Sequence, residues 1–432
     1  MRYSAPRGAR DILPPESEAW QRLLDAAREA FRLYGYREIV LPVMEHTDLF
    51  VRSIGEETDI VTKEMFTFQD KGGRSLTLRP EATAGVARAF IEHGLGERGL
   101  PVKLCYFGPM FRHERPQAGR YRQFHQLGAE HLGSAHPLAD AEVISLCSHI
   151  LEALGLRDLD LVVNSVGDAT CRPAYLEILR DFLKERAERL CGDCRRRMEA
   201  NPLRVFDCKV EGCQQALGDA PRVSEHLCEA CREHFLQLQE YLEAAGVGYR
   251  LEPGLVRGLD YYTRTVFEFQ VAGEGAQNAL AAGGRYDGLV ASLGGKDTPA
   301  TGFSLGVERV VGHLGQGERA AETGLYIVSK DGGPRLWALR LLRDSHRRGF
   351  PAELDTLGRS LKAQMKAADR AARPLVVILG EEELEKGFLT LRYMSSSSQE
   401  RVTEEELWRR LEEVCGGGRD AAGYGRGRDD VR

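Results

Sequence analysis

Residues 255–269 combine an arginine and two adjacent tyrosines with a strand-like run of β-branched and aromatic residues. The guanidinium of Arg257 can form two parallel hydrogen bonds with a carboxylate or a phosphate. The hydroxyls of Tyr261 and Tyr262 can each donate a hydrogen bond to a small polar ring or accept one from it. Because aromatic residues favour strands, a tyrosine pair at such a place can also serve only packing. The segment therefore predicts either a binding site or part of a core.

A second chemical segment, 108–130, has two stretches of apolar alternation separated by a basic loop with glycine and proline. This pattern indicates two antiparallel strands joined by a loop. Arg112 can bind a phosphate, Glu114 can accept a hydrogen bond from an exocyclic amine, and Phe124 can stack on a base. The loop residues Arg115, Arg120 and Arg122 add positive charge, and Gln117 adds a neutral amide, which together suit an RNA end. An exposed hairpin with solvated arginines would have the same composition.

Two shorter segments add candidate binding groups. Glu81 and Thr83 are two residues apart, so in an extended segment both side chains point the same way and can receive an ammonium group. Residues 301–309 read as a glycine-containing strand that turns into a helix near Val307 and ends in Arg309. Gly302 would allow a flat ligand to approach the backbone closely. Walker and dinucleotide-binding fingerprints are absent from the sequence.

Cysteines are concentrated between residues 191 and 231, where six of the ten occur. Two Cys-x-x-Cys pairs, Cys191/Cys194 and Cys228/Cys231, can supply four thiolates to a tetrahedral Zn²⁺. Buried free cysteines that pack as small hydrophobic side chains explain the same residues. The sequence leaves a structural zinc and free thiols as alternatives.

Several elements must position these groups. A helix is predicted at 16–34 and ends at Gly35, before a strand-like segment at 36–43. Its apolar residues recur at helical spacing, namely Trp20, Leu23, Leu24, Ala27 and Phe31. Charge-dense helical sequence at 172–244 interrupts strand-rich sequence and predicts an inserted helical domain. After 315–322 a second alternation of strands and helices indicates a separate α/β domain. Its strand-like stretches are 325–329, 350–355, 374–380 and 388–394.

Composition sets further limits. A chain of 432 residues usually forms two or three domains, and 42% hydrophobic with 29% charged residues is typical of a globular protein. No run of about 18 apolar residues occurs and no signal peptide is recognisable, so we expect no membrane association and a cytoplasmic location. A net charge of −6 argues against unselective coating of nucleic acid. The last residues, 416–432, contain too few apolar groups to pack and are predicted to be a flexible tail.

The chemical segments occur in an order that resembles histidyl-tRNA synthetases of the bacterial type, which are class II aminoacyl-tRNA synthetases. The resemblance covers residues 4 to about 414 and rests on the segments 7–11, 16–43, 77–83, 108–130, 257–262 and 301–309. It implies an α/β (α+β) fold with an antiparallel class II sheet flanked by helices. The catalytic domain would span 1–320 with the helical insertion at 172–244, and an α/β anticodon-binding domain would span 322–415. The segment 16–43 would form the interface of a homodimer.

The resemblance also implies which residues bind each substrate. Histidine would be bound by Glu81, Thr83, Gln126, Glu130, Arg257, Tyr261, Tyr262 and Tyr286. ATP would be bound by Arg112, Glu114, Phe124, Gly302 and Arg309, and the acceptor end of tRNA(His) by Arg115, Gln117 and Arg120. Arg112, Arg257 and Arg309 with Mg²⁺ would stabilise negative charge as the histidine carboxylate attacks ATP. Family members usually have glycine where this chain has Ala82.

Recognition of histidine has a simple physical requirement. Neutral imidazole carries one N–H donor and one nitrogen acceptor, which Glu130 and Tyr262 can satisfy. In the C-terminal part, Lys362, Lys366 and Arg370 form a basic stripe that resembles a tRNA-contacting face of the anticodon-binding domain.

Two other functions are compatible with parts of the sequence. A catalytically silent paralogue that senses histidine typically lacks the Arg257 segment and the anticodon domain, and both are present. A zinc-dependent RNA-binding protein without activity would leave four residues unexplained, namely Glu81, Arg112, Glu130 and Arg309.

Overall fold

The computed structural model describes residues 3–56, 58–114, 120–272, 279–314 and 323–415. The predicted tail at 416–432 lies outside the described residues. The chain divides into two compact units, Met1–Gly315 and Gln316–Arg432. None of the helices in the described ranges is long and apolar enough to cross a membrane.

The first unit combines a large sheet with helices. Its strands are β1 (Arg37–Glu38), β2 (Met44–His46), β3 (Phe66–Gln69), β4 (Ser75–Leu78), β5 (Val102–Phe111), β6 (Gln123–Leu132), β7 (Leu159–Ser165), β8 (Arg250–Leu251), β9 (Thr263–Val271), β10 (Ala279–Arg285) and β11 (Ala300–Gly306). Its helices are α1 (Glu16–Leu33), α2 (Thr47–Ile54), α3 (Thr83–Glu92), α4 (Pro137–Ala153), α5 (Arg172–Lys184), α6 (Gly192–Ala200), α7 (Glu211–Ala216), α8 (Glu229–Ala244), α9 (Leu289–Ser292) and α10 (Val307–His313).

The main sheet has the strand order β1-β5-β6-β11-β10-β9-β7-β8, with antiparallel pairing from β5 through to β7. This is the antiparallel sheet flanked by helices that was expected. Apolar side chains on one face of the sheet pack against α1, α4, α8 and α10 in the principal core. A smaller sheet, β2-β4-β3, lies before α3 in the chain.

The opposite face of the sheet carries small and polar residues at its centre, whereas apolar residues such as Phe124 and Leu132 lie towards the ends of the strands. Side chains alternate between faces along a strand, so Gln126, Gly128 and Glu130 of β6 share one face, while Leu127 and Ala129 enter the core on the other. The register pairs Glu130 with Gly302 and Gly128 with Ser304, and Gly302 in turn with Gly284. These small residues leave room above the sheet for other groups.

Helix α1 confirms the prediction for 16–34, and its five predicted apolar residues are all buried. The strand predicted at 36–43 is shorter than expected, because only Arg37–Glu38 pairs with β5. Beyond it, the carbonyl groups of Leu41 and Pro42 accept hydrogen bonds from the guanidinium of Arg79. A side chain thus takes the place of a neighbouring strand, and proline has no N–H with which to continue the ladder.

The interval 172–244 contains helices α5 to α8 and lies between β7 and β8. The part of the interval before α8 has its own hydrophobic cluster, which includes Tyr175, Leu179, Leu183, Val205 and Leu217. Helix α8 packs into the principal core instead. The described residues of this interval form helices and no strand, and its status as an inserted domain stays a prediction.

The second unit contains the strands β12 (Leu325–Ser329), β13 (Ala352–Leu354), β14 (Leu375–Leu379), β15 (Leu389–Tyr393) and β16 (Gln399–Val402), and the helices α11 (Gly333–Arg347), α12 (Leu361–Arg370), α13 (Glu381–Lys386) and α14 (Glu404–Cys415). The strand order is β13-β12-β14-β15-β16. The four predicted strands are confirmed. The prediction missed β16, a largely polar edge strand whose one buried side chain is that of Val402.

Candidate active site

Glu130 lies at the centre of a polar pocket on the open face of the main sheet. Its carboxylate accepts a hydrogen bond from the hydroxyl of Thr83 at 2.7 Å and a second from the hydroxyl of Tyr286. The residue is only 1% exposed. Burial outweighs the two donors and raises the pKa of Glu130 to about 8. A carboxyl group with such a pKa can change its protonation state near neutral pH.

Gly302 provides the space for this carboxyl group. It pairs with Glu130 across β6 and β11, and a Cβ at position 302 would overlap the Oε2 atom of Glu130. The sequence predicted that Gly302 would admit a flat ligand. In the structure, the space that glycine leaves free is filled by the carboxylate of Glu130.

Glu81 lies at the start of α3. Its carboxylate accepts hydrogen bonds from the backbone N–H groups of Thr83 and Ala84, the latter at 3.0 Å. The prediction that Glu81 and Thr83 occupy an extended segment is wrong, because α3 begins at Thr83 and Ala82 already has a helical conformation. Free N–H groups at the start of a helix attract a carboxylate, which explains why the chain turns into α3 directly after Glu81. Burial raises the pKa of Glu81, so the pocket holds two carboxyl groups that ionise reluctantly.

Aromatic rings form the walls of the pocket. The ring of Tyr261 lies 4.9 Å from that of Tyr262 and 5.6 Å from that of Tyr286, measured between centroids. Tyr262 lies over Gly284, where a Cβ would come within 2.9 Å of its ring. Burial raises the pKa of Tyr261 and Tyr262, so both hydroxyls remain protonated and can donate hydrogen bonds.

Tyr106 on β5 is a fourth wall that the sequence analysis missed. It is buried, and a Cβ at Gly128 would lie 2.5 Å from its hydroxyl. Burial, followed by the nearby carboxylates of Glu130 and Glu81, raises its pKa. The apolar alternation of β5 was visible in the sequence, but it gives no indication that a tyrosine on that strand faces a carboxylate on the next.

Two side chains at the edge of this pocket have unsatisfied polar atoms. Arg257 forms an ion pair with Glu268 of β9, yet its Nε atom is buried and has no hydrogen-bond partner among the described residues. Gln126 places its Nε2 atom 3.4 Å from the Oγ atom of Ser304, while its buried Oε1 atom has no partner in the described chain. Buried polar atoms without partners are costly, so a bound ligand is the natural complement.

Arg112, Arg120 and Arg309 lie close enough to one another for their charges to interact. Arg112 donates from Nε to the carbonyl of Pro80 at 2.9 Å, and its guanidinium lies 5.3 Å from the centroid of the Phe124 ring. Arg309 donates to the carbonyl of Ala279 at 2.9 Å. Burial lowers the pKa of Arg309, and the nearby charges of Arg120 and Arg112 lower it further. This repulsion among cations marks a place where a polyanion would be stabilised.

The loop that follows Arg112 is described only in part. Arg120 forms an ion pair of 2.7 Å with Glu114, the residue predicted to accept from an exocyclic amine. Arg115 and Gln117, predicted to contact an RNA end, lie outside the described residues.

Glu308 was also missed by the sequence analysis. Its carboxylate accepts from the backbone N–H of His125 at 2.9 Å and lies 3.0 Å from the Nδ1 atom of the same residue. This contact attaches α10, which carries Arg309, to β6.

The predicted metal set of Cys191, Cys194, Cys228 and Cys231 is wrong as a single site. The structure divides these four cysteines between two groups. Cys191 and Cys194 converge with Cys208 and Cys213, whereas Cys228 and Cys231 converge with Asp168 and Cys171. The two Cys-x-x-Cys pairs therefore do not face each other.

Comparisons with known proteins cover nearly the whole chain. A family model described as Histidyl-tRNA synthetase matches residues 8–310, and one described as Anticodon binding domain matches residues 337–414. The histidine–tRNA ligase of Moorella thermoacetica is 54% identical over 406 residues, which cover 93% of this chain and 96% of that protein. That of Halothermothrix orenii is 48% identical, with coverage of 92% and 96%. The crystal structure of apo S. aureus histidyl-tRNA synthetase matches with a TM-score of 0.80 and 36% identity, covering 95% of this chain and 100% of that one.

Proposed function

This chain belongs to the histidyl-tRNA synthetase family, and we propose that it joins L-histidine to tRNA(His) in two steps, by way of a histidyl-adenylate. One observation carries the proposal. A buried carboxyl group, Glu130, lies among tyrosines, with Arg257 close to Tyr262, and the charges of Arg112 and Arg309 lie near enough to each other to interact. The pocket suits a small polar ring, and the arginines suit the phosphates of ATP.

Glu130 and Tyr262 recognise the imidazole ring of histidine. Glu130 accepts the ring N–H, and the Tyr262 hydroxyl donates to the other ring nitrogen. A side chain that left these buried groups unpaired would be rejected by a factor of order 10⁴. Thr83 and Tyr286, which hydrogen-bond to Glu130, fix the orientation of its carboxylate.

The α-amino group of histidine binds near the start of α3, where Glu81 and Thr83 converge. The α-carboxylate lies near Gln126 and Arg257. The unpartnered Nε atom of Arg257 supports this assignment, because it can donate to a carboxylate or phosphate oxygen without losing its pairing to Glu268.

In the first step, an oxygen of the histidine carboxylate attacks the α-phosphorus of ATP in line with the bond to the β-phosphate. The new O–P bond forms as pyrophosphate leaves. Arg112 and Arg257 flank the α-phosphate, and Arg309 binds the γ-phosphate, so that three cations stabilise the spreading negative charge. Phe124, already in contact with Arg112, stacks on adenine, and Glu114 accepts from its exocyclic amine. No covalent enzyme intermediate is needed.

Mg²⁺ enters the site bound to the nucleotide substrate. This ion prefers oxygen ligands and is commonly held by phosphates with one or two carboxylates. In the ranges that are described, the groups of three or more potential metal ligands are the two cysteine-containing ones, whose thiolates suit a softer metal.

In the second step, the terminal ribose hydroxyl of tRNA(His) attacks the carbonyl carbon of the adenylate, and AMP leaves. Arg115, Gln117 and Arg120 contact the acceptor end. In the second unit, Lys362, Lys366 and Arg370 lie on α12. They contribute positive charge towards the anticodon stem.

A second copy of the chain covers the segment 39–44. Val40 is 87% exposed and Met44 is 51% exposed, which is unusual for apolar residues beside a strand. Val40 borders a groove of about 1050 Å³ that is also lined by Leu41, Pro42, Glu45 and Arg88 among others. Residues 39–43 belong to the segment 16–43, which resembles the dimer interface of class II synthetases, so we assign this surface to a homodimer.

Charging of a tRNA(His) transcript with labelled histidine tests the proposed function. Acid-stable histidyl-tRNA that depends on ATP, histidine and the transcript is expected. Binding of histidine without any charging would favour a silent histidine-sensing paralogue instead.

A further inference from the structure

The helical insertion, together with the short segment between β7 and α5, contains two compact groups of potential metal ligands. In the first, the Sγ atoms of Cys191, Cys194, Cys208 and Cys213 all lie within 4.8 Å of one another. In the second, the Sγ atoms of Cys171, Cys228 and Cys231 and a carboxylate oxygen of Asp168 meet the same limit. We propose that each group binds one structural zinc ion, in a Cys₄ and an AspCys₃ site.

The spacing between sulfur atoms fits a shared metal. Tetrahedral zinc with Zn–S bonds of about 2.3 Å separates two sulfur ligands by about 3.8 Å. The Sγ atoms of Cys191 and Cys208 are 3.9 Å apart, and those of Cys171 and Cys231 are 3.8 Å apart. A disulfide would require a distance of about 2.05 Å. Both groups therefore have the separation of thiolates around one ion.

Hydrogen bonds around the sulfur atoms also suit thiolates. The backbone N–H of Cys191 donates to the Sγ atom of Cys213 at 3.1 Å, and that of Cys194 to the Sγ atom of Cys191 at 3.5 Å. In the second group, the backbone N–H of Asp168 donates to the Sγ atom of Cys171 at 3.5 Å. Such outer contacts orient metal ligands and stabilise their negative charge.

Asp168 is held by a cation from the main sheet. Arg264 of β9 lies 3.3 Å from its Oδ2 atom, while the Oδ1 atom is 3.7 Å from the Sγ atom of Cys171. One oxygen thus faces the sheet and the other faces the sulfur atoms. This division is what a monodentate ligand with an outer partner requires.

Buried free cysteines elsewhere in the chain behave differently. Cys105 and Cys147 are buried in the principal core and belong to neither group. A thiol that only fills space does not need to converge with three other ligands. The insertion also has a small core, in which short helices and turns are joined without a sheet, so metal cross-links have a structural purpose there.

The positions of the two sites give them different tasks. The Cys₄ site closes a loop of the insertion between α6 and α7. The AspCys₃ site connects the chain just after β7 to the start of α8, and so fastens the insertion to the main sheet.

Near each site in the sequence is an arginine that hydrogen-bonds to the segment 257–262. Arg204, which lies between Cys194 and Cys208 in the sequence, donates to the carbonyl of Gly258 at 2.7 Å. Arg172, next to Cys171, donates to the carbonyls of Gly167 and Tyr262. If the proposed function holds, loss of zinc will disturb histidine and ATP binding through these contacts, without any metal contact to substrate.

Metal content per chain tests the proposal without reference to activity. The full-length protein, expressed with zinc supplementation and purified without chelator, is analysed by inductively coupled plasma mass spectrometry against amino-acid analysis. Two zinc ions per chain are expected. Cys213→Ala and Cys228→Ala should each retain one, whereas the matched buried-cysteine control Cys147→Ala should retain two.

Cobalt substitution of the unaltered protein covers the case in which a variant fails to fold. Two equivalents of Co²⁺ should give thiolate-to-cobalt charge-transfer bands and the visible bands of tetrahedral cobalt, saturating at two ions per chain. A folded protein with fewer than two bound ions, or unchanged zinc in folded Cys213→Ala and Cys228→Ala, would overturn the inference. Metal analysis and the tRNA charging assay are independent of each other. They therefore distinguish a synthetase that binds no metal from a metalloprotein that has no synthetase activity.

Discussion

Gly302 and Glu130 face each other across two antiparallel strands, and the Oε2 atom of Glu130 occupies the space in which a side chain at position 302 would lie. A methyl group there must displace the carboxylate from its hydrogen bonds with Thr83 and Tyr286. The proposed histidine pocket therefore depends on a residue that has no side chain with which to contact the ligand.

We expect Gly302→Ala to raise the KM for histidine by at least about 100-fold, since a misplaced ligand group costs catalysis and binding of that order. Gly312→Ala in α10 is the matched control, because a Cβ at position 312 meets no atom within 4 Å. Histidine-dependent adenylate formation measures both. Equal KM values for the two variants would show that the pocket does not need Glu130 in its observed place.

The raised pKa of Glu130 predicts a pH dependence of stability in the absence of ligand. The folded pKa of about 8 exceeds the ordinary value of 4.5, so the folded state holds a proton that the unfolded state has lost between these values. The contribution of Glu130 to the free energy of unfolding is fully present below pH 4.5. It falls by up to about 1.4 kcal/mol per pH unit as the pH rises, and it is lost above about pH 8.

Chemical unfolding of the wild type and of Glu130→Gln between pH 5 and pH 9 isolates this contribution. The difference in unfolding free energy should decline as pH rises and level off near pH 8. A difference that stays constant over the whole range would mean that Glu130 titrates at an ordinary pKa.

Arg257→Ala should slow adenylate formation by about 10²- to 10³-fold while changing the Kd of ATP much less, because the lost cation acts mainly on charge that develops in the transition state. Rapid-quench single turnovers and equilibrium ATP binding separate the two effects. Arg250→Ala removes an exposed arginine paired with Glu252 and should leave both the rate of adenylate formation and the Kd of ATP nearly unchanged. Normal single-turnover rates in Arg257→Ala would refute the assigned role.

Val40→Asp should convert the proposed homodimer into monomers, because a charge would be buried without a partner at its interface. Light scattering coupled to size-exclusion chromatography measures the mass directly. Leu336→Asp, at an exposed apolar position in the second unit, should leave the mass unchanged. A wild-type protein that is monomeric at micromolar concentration would contradict the assignment of this segment.

Sequence patterns predicted the elements better than the contacts between them. The helical spacing of Trp20, Leu24 and Phe31 was sufficient for α1, because periodicity reports which face is buried. The polar strand β16 gave no such signal, since an edge strand needs few buried side chains.

Contacts between side chains on neighbouring strands could not be predicted from the sequence, for a physical reason. That Tyr106 approaches Gly128, or that Gly302 accommodates Glu130, depends on strand register, which no local pattern specifies. The cysteines illustrate the same point. Their spacing suggested one site from two Cys-x-x-Cys pairs, whereas the fold directs each pair to different partners.

The most direct test of the proposed function is exchange of labelled pyrophosphate into ATP, run separately with each of the twenty amino acids and without tRNA. Exchange that requires histidine, and that no other amino acid supports at comparable concentration, is the predicted result. It would demonstrate both the adenylate step and the specificity of the Glu130 pocket. Exchange with a different amino acid, or none by a folded protein that binds histidine, would contradict the account.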